Sequence, residues 1–187
     1  SVLAFFASYF LFPHWESGQL DEYMASVLKA NINYLQKLKY YYSGSPFSTI
    51  EYKLVRKELY VNTANLSAAL TRMLSEPKNK QQNAPEINEF VVLNNVLSSN
   101  IASLFAVNTS SEQPFVSKEI LQAINRSVVK LEESLPAPGK SYRPPAASDG
   151  EIVLPVNKAT DPQLKDHVDF IYKISVDIYK VVQKMRA

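Results

Sequence analysis

The side chains able to do chemistry in this 187-residue chain are few, and their spacing suits no reaction. Cysteine is absent, which removes disulfides, thiolate nucleophiles and cysteine zinc sites and fits a reducing compartment. The two histidines, His14 and His167, lie far apart, and neither has a second ligand type at metal-binding spacing, so no structural metal is expected. Glu132 and Glu133 are adjacent, and neighbouring helix positions face different ways, so they cannot act together as an acid/base pair. No glycine-rich phosphate loop, nucleophile elbow or helix-borne histidine pair occurs. The expectation is a chain that is not an enzyme and carries no cofactor.

What remains is polar and aromatic. Asn62 lies between Leu59 and Leu66, and Asn94 sits on the apolar stripe of the following helix. Two antiparallel helices joined by a short loop face each other, so Asn62 and Asn94 are candidates to pair across the seam. An unpartnered buried amide costs about 1–3 kcal/mol, so such a pair serves register rather than stability. With no nucleophile, acid or base beside them, they have no reaction to perform. Tyr40, Tyr41 and Tyr42 read either as the lining of a ligand pocket or a membrane-surface belt, or more plainly as rings closing one end of a bundle with hydroxyls in water.

These residues must be carried by helices. Apolar residues return three or four positions apart from Gln19 to Tyr42, interrupted by Asn31, and Ser43-Gly44-Ser45-Pro46 then makes a turn. The stretch from Ile50 to Glu76 reads as the longest amphipathic helix and the one the others should pack around. Its inward row is Val55, Leu59, Leu66, Ala69 and Met73, with a second row at Leu54, Val61 and Leu70. Ser48 or Thr49 caps its start, and Pro77 closes it. A third helix runs from Pro85 to about Val107 and a fourth from Ser117 to Ser134, with Ser117 as cap. The last begins after Asp161-Pro162 and has a wide apolar face along Val168, Ile171, Ser175, Ile178 and Val182.

Residues 136–160 break the pattern with most of the later prolines and read as a connector; Arg143 beside Pro144-Pro145 is only a weak polyproline match. Asn108-Thr109-Ser110 matches a glycosylation acceptor formally, a match that would be accidental in an intracellular protein. The fold class expected is all-α, an antiparallel bundle of about five long helices with one long proline-rich loop.

Residues 1–15 stand apart from this bundle of residues 16–187. Val2 to Phe12 is an unbroken apolar run, and a spanning helix needs about 20 such residues, so the run covers only part of a bilayer. It reads as the end of a truncated transmembrane helix, with Phe10, Phe12 and Trp15 as candidate interface residues beside Pro13 and Glu16. The plainer reading is a buried first helix. Glu16, Asp21 and Glu22 precede Lys29, Lys37 and Lys39, so the flanking charges do not fix sidedness. Twenty Lys and Arg against eighteen Asp and Glu give a net charge of +2 without a basic block, and no nucleic-acid partner is expected.

Ala64 to Gln81, ANLSAALTRMLSEPKNKQ, resembles a segment of the fusaric acid resistance protein-like (FUSC) family of bacterial inner-membrane proteins. The flanking KLVRKELY, EFVVLNNVLSSNIASL, SYFLFPHWE and the tail DFIYKISVDIYKVV extend the resemblance. It implies a cytoplasmic carboxy-terminal domain of a transporter-like protein, concerned with efflux of aromatic acids and related compounds. It also implies attachment to the bacterial inner membrane through the amino-terminal segment, with a homo-oligomer or other domains of the same chain as partners. No transport-site residue carries over, because the substrate path would lie in membrane helices outside this sequence. The competing readings are a free-standing helical interaction module and a small-ligand sensor with tyrosines and asparagines around a pocket.

Overall fold

The computed structural model describes residues 16–45, 48–78, 81–108, 116–136 and 162–187. Among them five helices and no strand occur: α1 (Glu16–Tyr42), α2 (Thr49–Leu74), α3 (Ala84–Asn108), α4 (Lys118–Ser134) and α5 (Pro162–Arg186). The all-α bundle expected from the spacing of apolar residues is the fold observed. Phe10, Phe12 and Trp15, with the whole amino-terminal run, lie outside the described residues, as does the connector 137–161.

Local chemistry sets the helix ends. After α1, Gly44 takes φ 76°, its N–H bonds to Tyr41 O at 3.2 Å and the Ser45 N–H to Tyr40 O at 3.2 Å. This is the paired C-terminal motif that a glycine's freedom at positive φ permits. Ser48 caps α2, its Oγ accepting from the Glu51 N–H at 3.4 Å. The carbonyls at the other end of α2 are met by Gln81, whose Nε2 donates to Leu74 O at 3.0 Å and Glu76 O at 2.7 Å. Ser117 occupies the N-cap position of α4, but its hydroxyl makes no cap bond, and its Oγ is buried without a partner.

Packing makes α1 the centre, where the sequence pointed to α2. Helix α1 borders α2, α3 and α4; α5 borders α3 and α4; α2 borders chiefly α1 and α3. So α1, α3, α5 and α4 form a four-helix ring, and α2 lies outside it over the α1/α3 side. From Ala30 to Lys39 no residue of α1 is fully exposed, whereas α2 buries only Val55, Leu59, Leu66, Ala69, Leu70 and Met73. Of the second row expected on α2, Leu70 is inside, but Leu54 and Val61 face solvent at 60% and 50% exposure.

Cross-helix contacts give the directions. Lys37 meets Glu51 at 3.1 Å, so α1 and α2 run antiparallel, and the Glu86 to Lys184 pair at 2.8 Å does the same for α3 and α5. Lys184 holds the Glu86 carboxyl below its usual range, an acid in the first turn of α3 bound to a base in the last turn of α5. Helices α4 and α5 instead run parallel: Lys165 reaches Glu119 near their starts at 3.8 Å, and Arg186 donates to Ser134 O near their ends at 2.7 Å. Short turns force the chain to reverse, and the long connection before α5 frees it from that requirement.

Leu35→Ala in α1, a fully buried position, is expected to cost about 3 kcal/mol in urea unfolding, against less than about 0.5 kcal/mol for Leu54→Ala on the outside of α2. Comparable losses would put α2 at the centre instead. Burial raises the Glu132 carboxyl above its ordinary range, so its ionised form is disfavoured in the folded chain. Glu132→Gln should therefore stabilise by less than about 1 kcal/mol at neutral pH, and the gain should vanish as pH falls below about 4, where the carboxyl is protonated folded or unfolded.

Candidate functional site

The polar core is built on α1 and α3. Asn31 and Asn94 are both fully buried and Ser98 nearly so. The Asn31 Nδ2 donates to Asn94 Oδ1 at 3.0 Å, and the Asn94 Nδ2 donates to Phe90 O at 2.8 Å. The Ser98 hydroxyl lies 3.1 Å from Asn31 Oδ1 and 2.7 Å from Asn94 O, so its single proton is shared between two acceptors. The expected seam partner Asn62 is half-buried on α2 and takes no part in this network. Asn94 turns instead to Asn31, because α1 and not α2 lies against its face. The signal was in the sequence as the one polar interruption in the α1 stripe.

One helical turn further along lies an aromatic cluster. The Tyr34 ring stacks on Phe105 with centroids 5.1 Å apart, and Tyr52 approaches the same ring at 4.6 Å. The Tyr34 and Tyr52 hydroxyls meet at 3.3 Å. Burial first, and that hydrogen bond second, hold the Tyr34 phenol far above its ordinary range, so it stays neutral and keeps its proton. Tyr41 and Tyr42 are buried too, the latter with its hydroxyl 3.5 Å from Leu104 O, while Tyr40 is exposed. The tyrosines close the bundle as expected, but two of the three turn inward.

Between α3 and α5, His167 Nε2 lies 2.9 Å from Asn100 Oδ1 and 3.2 Å from Ser103 Oγ. The Asn100 Nδ2 donates to Val96 O at 2.7 Å, which fixes its amide oxygen toward the ring and places a proton on Nε2. The Ser103 hydroxyl donates to Asn100 O at 2.9 Å. With Nε2 as the donor, this contact ties α3 to α5.

Two surface clefts are prominent among the described residues. The larger, about 660 Å³, is lined by Lys39, Ile120, Arg126, Lys165, Val168 and Asp169 among others. Three of its four cations have neighbours: Lys39 donates to Asn125 at 2.9 Å, Lys165 meets Glu119, and Arg126 lies over the Tyr172 ring at 5.0 Å. The smaller, about 240 Å³, opens at the opposite end beside Asp21, Asn83, Met185 and Arg186. Neither of these two is lined by Asn31, Asn62, Asn94 or the tyrosines.

The remaining feature is the outer surface of α2 and α3. Ile50, Leu54, Val61 and Leu74 on α2 and Val92 on α3 are each at least half exposed. From Val91 to Asn108, α3 has no charged residue, so its outer face presents Val92, Asn95, Val96 and Ser99. Among the described residues no helix is long and apolar enough to cross a membrane, and no group of acidic or histidine side chains could hold a metal ion. What this surface can do chemically is bind another apolar surface.

No family model matches the chain. No solved structure matches it either. It is similar to the inner membrane protein YccS of Escherichia coli (strain K12), with 23% identity over 134 residues, which are 72% of this chain and 18% of that protein. The chain thus spans less than a fifth of that relative's length.

Asn94→Leu is expected to destabilise by about 1–3 kcal/mol, because it leaves the Asn31 Nδ2 buried without its acceptor. The double variant Asn31→Leu with Asn94→Leu should cost clearly less than the sum of the two single changes, and Asn62→Leu less than about 0.5 kcal/mol. A double-mutant cycle in urea checks this; strict additivity would mean that the two asparagines do not act as one unit.

Proposed function

We propose that this chain is the cytoplasmic helical domain of a fusaric acid resistance protein-like inner-membrane protein, joined to the bilayer through residues 1–15. In this reading it is not an enzyme and binds no nucleic acid. It is an assembly or regulatory part of an efflux system for aromatic acids or similar compounds.

The observation that carries the reading is the 23% identity to an inner membrane protein over 134 residues of this chain. Two features are in keeping with it. The apolar run from Val2 to Phe12 has the composition of a membrane segment and is followed by Trp15, an interface residue type. The described helices are joined by packed seams and carry their most exposed large apolar side chains on the outside of α2 and α3, which suits a domain that works by contact with other protein.

Trp15 is the chain's one tryptophan, so its fluorescence reports that segment alone. On mixing the chain with phosphatidylethanolamine/phosphatidylglycerol vesicles, the emission should shift to the blue and be quenched by brominated lipid tails. Phe10→Asp with Phe12→Asp should abolish both effects. An emission unchanged by vesicles would remove the membrane attachment. Deleting the whole native gene should raise sensitivity to aromatic carboxylic acids; unchanged sensitivity would remove the efflux role and leave the membrane attachment standing.

A further inference from the structure

The outward side of α2 repeats with a period that its own bundle does not use. Ile50, Leu54, Lys57, Val61, Ala64, Ala68 and Thr71 alternate at spacings of four and three, and all seven are exposed. That is the 3.5-residue period of a coiled-coil seam, and it lies on the face opposite Leu59, Leu66 and Met73, which pack inward. Ile50 at 72% exposure and Leu54 at 60% are large apolar side chains that a solvated helix face would not be expected to hold in register.

We infer that this seam is a self-association face, on which α2 of a second copy lies antiparallel about a two-fold axis near Asn62. The seam is complementary to its own reverse in size. In the register centred there, Leu54 meets Thr71 of the second copy, Lys57 meets Ala68 and Val61 meets Ala64. Each layer sets a larger side chain against a smaller one, and the alanines let the two backbones approach closely.

It is also complementary in charge. Along one flank of the seam run Glu51, Glu58, Asn65 and Arg72, all exposed; Glu51 holds Lys37 of its own copy through Oε2 at 3.1 Å and keeps 59% of its side chain in solvent. Reversal brings Glu51 beside Arg72 of the second copy, and by symmetry Arg72 beside the second Glu51, with Glu58 against Asn65. A parallel pairing would stack Lys57 on Lys57 in the seam, which disfavours that arrangement. Lys57 thus selects the direction, since its stem can lie over an alanine while its ammonium reaches water.

A single pair of helices this long, 26 residues and roughly 39 Å, falls in the small class of interfaces, burying less than about 1,200 Å². The association is therefore weak, micromolar or weaker in dissociation constant. It does not depend on the membrane reading, which survives if this surface proves idle.

Sedimentation equilibrium of the 187-residue chain in detergent-free buffer, raised to about 1 mM, tests the pairing. The chain should pass from monomer to dimer over that range. Glu51→Arg alone and Arg72→Glu alone should each weaken the dimer about tenfold, because each sets like charges together twice. The double exchange should restore it. Glu51 and Arg72 are 21 residues apart on one helix, about 31 Å, so within one copy they cannot rescue each other. Lys57→Leu should tighten the dimer by removing the charge from the seam. A chain that stays monomeric throughout overturns the inference. So does an association indifferent to the exchange, as contact through the amino-terminal run or through α3 would be.

Discussion

Helix α1 carries apolar side chains over so much of its circumference that it must be covered on three sides, and the arrangement of the other helices follows from that. Tyr34, Leu35 and Leu38 are fully buried, with Leu28 and Ile32 nearly so. A helix with one apolar stripe can rest on the surface of a bundle; one with apolar residues nearly all round can only be enclosed. The short turn after Tyr42 and the short connection after Leu74 bring α2 and α3 to its side, leaving α4 and α5 to close the ring.

Enclosure creates a second constraint, because a helix surrounded by aliphatic side chains can slide. The Asn31, Asn94 and Ser98 network resists this. Its cross-helix bonds are matched only in one register of α1 against α3, and a shift of one turn would take Asn31 Nδ2 away from Asn94 Oδ1 and Asn31 Oδ1 away from Ser98. Stacking of Tyr34 on Phe105 fixes the same pair of helices a turn further along. Both contacts lie between helices that are not consecutive in the chain, where no turn sets the register.

Helix α2 is the counterpart of α1. It is outside the ring, touches chiefly two helices, and spends half of its apolar residues on a face that nothing in the described structure covers. The charge-free length of α3 beside it extends the same kind of surface.

The sequence alone determined the five helices and their approximate ends, because the 3.6-residue return of apolar side chains, Ser48, Gly44 and Pro162 act within a few residues of chain. It also marked Asn94 as a polar residue on an apolar seam. It did not show that Asn31 is its partner, that Leu54 and Val61 turn outward, or that α4 and α5 run parallel. Each of these depends on which helix lies against which face. Apolar spacing tells a helix which sides to hide and says nothing about what will hide them; α2 has two such sides, and only the packing of α1 against α3 decided which one the fold would use.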